Sequence, residues 1–290
     1  MNNELAILFA KRFIQRRDVK SVQLAFPGKV IYTPDRELRD PRNRDVFDPG
    51  QHGPLGFAMN HLEAHLERRA TYGHYLLDSN SNCRLFAFDF DLRSPDPANN
   101  PCAYLPYEAT TSASESDWES ACVPFNPREA WADRAHPSRW WIKMQMGALA
   151  RKFVSAIQNE LGIPCAAAYS GGKGIHVYGF TGPMPASDAR DAALIVVESL
   201  DEWELERGNS QFKHRVNNPV MGYPNWSLEV FPKQDSLDGK DLGNLMRLPL
   251  GQNLKSPNDP TFFMDLNCPV GELRPHPDPV RLLTNGDPYE

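Results

Sequence analysis

The sequence predicts a mixed α/β fold in which helices and short strands alternate, with no internal repeat. The clearest helical pattern covers residues 139–161, where apolar side chains recur at helical spacing until a Gly and a Pro end the run. A second helical pattern covers residues 187–206. The runs with strand character are 165–169, 175–180 and 226–231.

The N-terminal third predicts shorter elements. An amphipathic helix is expected over residues 4–17, and a second helix with a basic end over residues 57–69. Residues 72–78 and 83–91 have the pattern of strands. Because turn-forming residues separate them, they predict a β-hairpin.

Two stretches are expected outside the main core. Residues 93–137 are rich in Pro, Ser, Asn and Ala with weak periodicity, which predicts a long surface insertion of the kind that binds partners. Residues 256–290 are Pro-rich and predict an extension that follows the surface without a core of its own. The sequence therefore predicts one main unit, residues 1–255, followed by this extension.

Composition and charge narrow the function classes. With 41% hydrophobic and 23% charged residues, the chain is not a wholly disordered protein. No apolar run approaches the length of about 18 residues that suggests a membrane span, and no leader pattern opens the chain, so we expect a cytoplasmic protein without membrane contact. The net charge of −6 argues against a protein that holds long duplex DNA unaided, because phosphate neutralisation supplies most of that affinity. The 5 cysteines include no C-x-x-C pair, so we expect reduced thiols and no zinc.

The first segment with chemical potential is the run F-A-F-D-F-D-L at residues 86–92. Alternation along a strand places Asp89 and Asp91 on one face, with Phe88 and Phe90 on the other. Two carboxylates about 7 Å apart on one strand can converge on divalent cations. The alternative is that the two aspartates only mark the solvated end of the strand.

The second segment is the run Y-S-G-G-K-G-I-H-V at residues 169–177. A glycine-rich turn lets backbone N–H groups approach a phosphate, and Ser170, Lys173 and His176 can add side-chain donors. The run is neither a Walker A loop nor a dinucleotide fingerprint, because no helix follows it. The alternative is a hairpin turn with an incidental lysine.

The third segment contains Glu229 inside a strand-like run, with Lys233 and Arg247 following it. Glu229 can complete a metal site with Asp89 and Asp91, while the two cations suit phosphate. The alternative is a structural salt bridge between Glu229 and one of the two bases.

In this order, D-x-D, then S-G-x-x-G-x-H, then a hydrophobic strand with one acid, the motifs resemble the archaeo-eukaryotic primase superfamily. They resemble most the primase-polymerases of bacteria, plasmids and phages, including those of conflict-system and CRISPR-associated operons. The resemblance covers residues from about 10 to 255. It implies an N-terminal α/β module packed on an RRM-like module, with the active site in the cleft between them and residues 1–255 as the catalytic domain.

The resemblance also implies roles for individual residues. Asp89, Asp91 and Glu229 would bind two divalent cations, Mg²⁺ or Mn²⁺, although many members have Asp where this chain has Glu229. The incoming nucleotide would be held by Ser170, Gly171, Gly172, Lys173, Gly174 and His176, and its triphosphate by Lys233 and Arg247.

The function implied is template-dependent nucleotidyl transfer to a 3′-hydroxyl, with single-stranded DNA as template and NTP or dNTP as substrate. The acidic balance implies weak DNA affinity and hence help from a helicase or another replication or defence partner. Two alternatives stay open at this stage. One is a primer-dependent repair or gap-filling polymerase of the same superfamily, and the other is a catalytically silent nucleic-acid-binding subunit.

Overall fold

The computed structural model describes residues 3–27, 29–38, 56–93, 102–112, 114, 117–216 and 222–285. The helices are α1 (Asn3–Phe13), α2 (Asp35–Leu38), α3 (Met59–Leu66), α4 (Tyr107–Ser112), α5 (Trp118–Ala121), α6 (Pro127–Ala132), α7 (Ser138–Leu161), α8 (Ala186–Ser199) and α9 (Pro279–Asn285). None of the helices within these ranges combines the length and hydrophobicity needed to span a bilayer.

The strands follow the same alternating order along the chain. They are β1 (Ser21–Phe26), β2 (Lys29–Pro34), β3 (Tyr72–Tyr75), β4 (Asn82–Cys83), β5 (Phe86–Leu92), β6 (Ala103–Tyr104), β7 (Val123–Pro124), β8 (Cys165–Tyr169), β9 (Gly174–Gly179), β10 (Met184–Pro185), β11 (Trp203–Arg207), β12 (Gln211–His214), β13 (Trp226–Phe231), β14 (Leu245–Arg247) and β15 (Phe262–Phe263).

A seven-stranded sheet forms the larger module, in the order β11-β12-β13-β5-β9-β8-β15, and its neighbouring strands are antiparallel. Helices α7 and α8 pack on one face, where they bury the side chains of Phe88, Phe90 and Phe153. The left-handed backbone of Gly162 (φ 61°) ends α7 as predicted.

The N-terminal module is a four-stranded sheet in the order β14-β3-β1-β2, together with α1 and α3. Its apolar residues form a second core against the other face of the seven-stranded sheet, to which Ala87 and Tyr178 contribute. Consecutive residues of β5 therefore face different cores, because the side chains of a strand alternate. The predicted mixed α/β fold, with two packed modules, is confirmed.

The predicted hairpin of residues 72–78 and 83–91 is wrong. The turn itself exists, since Asp78 Oδ1 accepts the backbone N–H groups of Asn80 and Asn82, both at 2.9 Å. The strands on its two sides then diverge, and β3 joins the four-stranded sheet while β5 lies in the centre of the seven-stranded one. Turn chemistry is local, whereas the choice of sheet depends on which core each strand covers.

Three predicted helix ends are also wrong. Helix α1 ends four residues before the predicted end, and α3 is confined to Met59–Leu66. Helix α8 ends at Ser199, and residues predicted to continue it form strand β11 instead. Trp203, the first residue of β11, is buried in the larger core, where the predicted helix would also have placed it. Both arrangements bury Trp203, so its burial alone did not distinguish a helix from a strand.

The two stretches expected on the surface contribute to the cores. Within residues 93–137, the described part buries Tyr104, Leu105 and Phe125 against α7 and its neighbours, while 94–101 lies outside the described residues. Within residues 256–290, β15 extends the seven-stranded sheet and α9 buries Leu282 and Leu283. Both stretches are therefore integral to the packing, even though their sequences have little periodicity.

Replacing Phe153 with Ala tests the larger core. Phe153 is fully buried, with ring centroids 4.8 Å from those of Phe88 and of Phe90. Removing such a ring leaves a cavity that costs about 3–5 kcal/mol of stability. We expect a loss of that size in urea unfolding, and a change within about 0.5 kcal/mol for Ile195→Ala, which alters a 47% exposed side chain of α8. Similar losses for both variants would contradict this packing.

Candidate active site

Strand β5 carries its two aspartates on the face opposite the larger core. Phe86, Phe88 and Phe90 are fully buried, whereas Asp89 and Asp91 retain access to solvent. The predicted alternation is therefore confirmed. The aromatic face anchors the strand, and the acidic face is held in the cleft between the modules.

Strand register places two further side chains beside Asp89. Glu229 of β13 lies directly opposite Asp89 on one side, and His176 of β9 lies directly opposite on the other. Gln211 of β12 continues this line beyond Glu229. Directly opposed residues in antiparallel strands have Cβ atoms about 5 Å apart and share a face of the sheet. We call Gln211, Glu229, Asp89 and His176 the cross-strand row.

Asp91 lies one pleat further along β5, opposite Gly174 of β9. A Cβ atom built on Gly174 would stand 2.7 Å from Asp91 Oδ1 and 2.6 Å from the carbonyl oxygen of Phe90. Glycine at this position therefore makes room for the Asp91 carboxylate beside the glycine turn.

The pKa values of the two aspartates are shifted in opposite directions. Burial would raise the pKa of Asp89, but its contact with His176, followed by the positive charges of Arg247 and Lys233, holds that pKa below its usual value. Loss of solvation, followed by the charge of Asp89, raises the pKa of Asp91 to about 6. The site thus keeps one carboxylate ionised and disfavours a second negative charge beside it.

His176 bridges Asp89 to the buried Tyr178. The Nε2 atom of His176 lies 3.4 Å from Asp89 Oδ1, and Nδ1 lies 2.7 Å from the Tyr178 hydroxyl. In the tautomer that donates from Nε2, Nδ1 accepts the Tyr178 proton. Burial raises the pKa of Tyr178, so its hydroxyl stays protonated and fixes the ring orientation of His176.

Glu229 is engaged by two neighbours. Lys233 Nζ lies 2.7 Å from Glu229 Oε2, and the amide of Gln211 donates to Glu229 Oε1. The backbone N–H of Lys233 in turn donates to Asn244 Oδ1 at 2.8 Å. The structure therefore contains the ion pair that the sequence left as the alternative for Glu229.

The glycine turn connects β8 to β9, as the sequence predicts. Gly171 and Gly172 have φ values of 68° and 144°, which disfavour any side chain. The hydroxyl of Ser170 donates to the carbonyl oxygen of Gly174 at 2.9 Å. The ammonium of Lys173 donates to the carbonyl oxygen of Leu92 at the end of β5. The turn is thus tied to the strand that carries the aspartates.

Arg247 is a residue of the N-terminal module that contacts this site. It ends β14 and donates from Nη2 to the carbonyl oxygen of Ser170 in the glycine turn. Its Nη1 atom is buried and has no hydrogen-bond partner among the described residues. A buried guanidinium N–H without a partner is costly, and an anionic ligand in the cleft would satisfy it.

Four residues at the site were not singled out in the sequence. They are Tyr178, Gln211, Asn253, whose amide donates to the carbonyl oxygen of Gly171 at 2.6 Å, and Tyr169, whose hydroxyl contacts Gly172. Tyr178 was detectable, because it follows His176 by two residues and so shares its strand face. Gln211 and Asn253 belong to no local motif, and only the register and the loop before β15 bring them close.

The chemistry of the donors suits a hard divalent cation, because carboxylate oxygens are the preferred ligands of Mg²⁺ and Mn²⁺. Within the described ranges, no three His, Cys, Asp or Glu side chains already converge in metal-binding geometry. The raised pKa of Asp91 favours a cation, since a cation would offset the repulsion from Asp89. Asp89 and Asp91 would therefore hold it, and Glu229 would join them by leaving Lys233.

A comparison with curated proteins finds no match. The polymerase domain of Mycobacterium tuberculosis Ligase D in complex with DNA is 10% identical, with a TM-score of 0.40 over 98% of this chain and 87% of that one. A likeness this weak says nothing about activity.

The family model "TOTE conflict system, Archaeo-Eukaryotic Primase domain" matches residues 4–287. The match crosses residue 255, so the division predicted there stays a prediction. Because this family model matches nearly the whole chain, the protein belongs to the archaeo-eukaryotic primase domain family of TOTE conflict systems.

Proposed function

We propose that the chain is a template-dependent nucleotidyltransferase, a primase-polymerase that adds nucleotides to a 3′-hydroxyl and releases pyrophosphate. Its template is single-stranded DNA and its substrates are NTPs or dNTPs. One observation carries the proposal: the register of β13, β5 and β9 lines up Glu229, Asp89 and His176 beside a glycine turn, with Asp91 one pleat further along β5. Acids beside a phosphate-binding turn suit phosphoryl chemistry and would repel a polyphosphate without cations.

Two divalent cations, Mg²⁺ or Mn²⁺, would complete this site, and Asp89, Asp91 and Glu229 are the residues that would hold them. When bound, they would lower the pKa of the attacking hydroxyl and neutralise the triphosphate and the leaving pyrophosphate. Before binding, Lys233 balances the charge of Glu229 at 2.7 Å. Lys233 thereby keeps the cleft stable when it is empty and becomes available to phosphate when Glu229 turns away.

The remaining side chains bind and orient the nucleotide. Arg247 offers its unpartnered Nη1 to a phosphate oxygen, and Lys173 adds a second cation at the glycine turn. The backbone N–H of Gly171 can approach a phosphate closely because the residue has no side chain, whereas the N–H of Gly172 donates to the Tyr169 hydroxyl at 3.1 Å and holds the shape of the turn. His176, fixed by Tyr178, holds the carboxylate of Asp89 in position and can contact the sugar or the triphosphate.

The net charge of −6 implies that the protein depends on a partner to stay on DNA. A helicase or another replication or defence protein would supply that contact. Delivery of the protein to its template by such a partner is independent of the chemistry in the cleft.

Replacing Asp89 or Asp91 with Asn tests the proposal. We expect nucleotide incorporation to fall at least about 100-fold, because a bound cation contributes several kcal/mol of charge stabilisation in the transition state. The melting temperature should stay the same or rise for Asp91→Asn, since that change removes repulsion from Asp89. The measurement is incorporation of labelled NTPs and dNTPs on a single-stranded template, with and without a primer, in Mg²⁺ or Mn²⁺.

Asp191→Asn is the matched control, because Asp191 is exposed on α8, outside the cleft. New chains without a primer would support the primase-polymerase, and extension from a primer alone would restrict the activity to a primer-dependent polymerase. Wild-type activity in the folded Asp89→Asn or Asp91→Asn variant would refute the assignment. No incorporation by the wild-type chain would favour a silent binding subunit.

The raised pKa of Asp91 predicts a pH dependence. The carboxyl group is protonated below its pKa of about 6, and a protonated group does not bind a cation. We expect incorporation at low Mg²⁺ to fall as the pH is lowered through about 6. Because cations compete with the proton, higher Mg²⁺ should move the midpoint to lower pH. The measurement is the initial rate of incorporation between pH 5 and 8 at two Mg²⁺ concentrations. A pH midpoint that does not change with Mg²⁺ concentration would contradict the prediction.

A further inference from the structure

A cavity lies on the opposite face of the seven-stranded sheet from the cross-strand row. Its volume is about 360 Å³, within the range of ligand sites. Tyr169, which lines it, pairs with Ile175 and points to the face of the larger core, whereas His176 pairs with Ala168 and faces the cleft. The cavity opens where α6, the start of α7 and the loop before β15 meet.

Three aromatic rings form its walls. The ring centroids of Trp131 and Tyr169 are 6.1 Å apart, and those of Tyr169 and Phe262 are 5.3 Å apart. The indole N–H of Trp131 donates to Asp259 Oδ2 at 3.0 Å, which fixes the ring. Aromatic walls of this kind accept a planar base whatever its identity.

The cavity is also strongly basic. Arg134, Arg139 and Lys143 line it, against one lining acid, Asp259, which already accepts from Trp131. Arg139 lies 4.2 Å from the centroid of the Trp131 ring. Among the described residues, Arg134 makes one hydrogen bond, from Nη2 to the carbonyl oxygen of Asn258 at 3.3 Å. Most of the donors of Arg134 therefore face the cavity and the solvent.

Lys143 gives the strongest indication of a ligand. Its ammonium makes no hydrogen bond or ion pair with any residue that the structure describes. Burial, followed by the charge of Arg139, lowers its pKa. Glu272 is close enough to oppose this shift, but its carboxylate is paired with Arg274 at 2.6 Å. A half-buried cation without a partner is stabilised by an anion that enters the cavity.

The cavity shares a wall with the glycine turn. The Tyr169 hydroxyl donates to the carbonyl oxygen of Gly172 at 2.7 Å and accepts the Gly172 N–H at 3.1 Å. On the other side of the turn, a Cβ atom on Gly171 would stand 2.6 Å from Thr261 Cγ2, two residues after Asp259. The glycine turn therefore contacts both Arg247 of the cleft and Tyr169 of the cavity.

We propose that this cavity binds one nucleotide unit of a single-stranded nucleic acid, with the base against Trp131 and Phe262 and the phosphate at Arg134 and Lys143. Aromatic rings interleaved with cations are the combination that binds single strands without sequence preference. The identification of this strand as the template rests on the proposed function. Binding of the strand requires neither cations nor catalysis, so it can be measured separately.

The test is fluorescence anisotropy of a labelled 20-nucleotide oligothymidylate, without divalent cations, over a series of KCl concentrations. We expect Arg134→Gln/Lys143→Gln to reduce the magnitude of the slope of log K against log[KCl] by about 0.7, because the proposed site holds one phosphate and each phosphate contact on a single strand contributes about 0.7. That change corresponds to about 5-fold weaker binding at 0.1 M salt. The matched control is Lys152→Gln/Arg215→Gln, which removes the same charges from the ion pairs with Glu202 and Asp201, away from the cavity.

A second variant separates stacking from charge. Trp131→Leu should weaken binding about 5- to 100-fold with the salt slope unchanged. Arg134→Gln alone alters an exposed side chain, so its effect is readable even if another variant melts early. Wild-type affinity in the folded Arg134→Gln/Lys143→Gln variant, or equal losses in the test and control pairs, would overturn the proposal. If the wild-type chain incorporates no nucleotide while the cavity variants still lose the oligonucleotide, the proposed function fails and the cavity assignment stands.

Discussion

The register of β13, β5 and β9 is the constraint on which the site depends. The face of β5 that carries Phe86, Phe88 and Phe90 is sealed in the larger core, so the face with Asp89 and Asp91 must point into the cleft. A slip by one residue would bury the acids and expose the rings, which fixes the register strongly. The same register then sets Glu229 and His176 on either side of Asp89. Packing energy in the core is thus what holds like charges together at the surface of the sheet.

The cleft compensates this charge with groups from both modules. Lys233 of the larger module balances Glu229, and Arg247 of the four-stranded sheet lowers the pKa of Asp89 and ties the glycine turn to β14. The pKa of Asp91 rises to about 6 because burial, followed by the charge of Asp89, outweighs the opposing charge of Lys173. The cations and phosphates of the proposed reaction would each find groups of opposite charge in this cleft.

Local sequence patterns predicted the parts of the site that lie within single elements. The alternation of Phe and Asp in β5 and the glycine turn between β8 and β9 were readable, because strand period and turn chemistry act over a few residues. The hairpin prediction for residues 72–78 and 83–91 failed, because the turn at Asp78 does not determine which sheet each strand joins. The sequence did not predict that Gln211 and Asn253 lie at the site, nor that a cavity forms at Lys143. These features depend on contacts between elements that are far apart in the chain. The roles of the predicted site residues stay predictions until they are measured.

The central claim is that Asp89 and Asp91 hold a divalent cation on the cleft face of β5. The most direct measurement is titration of the purified protein with Mn²⁺, following the electron paramagnetic resonance signal of the free ion. The account predicts saturable binding by the wild-type chain and by Asp191→Asn, and loss of that binding in Asp89→Asn. Equal Mn²⁺ binding by the folded Asp89→Asn variant would contradict it, because the cation would then lie elsewhere.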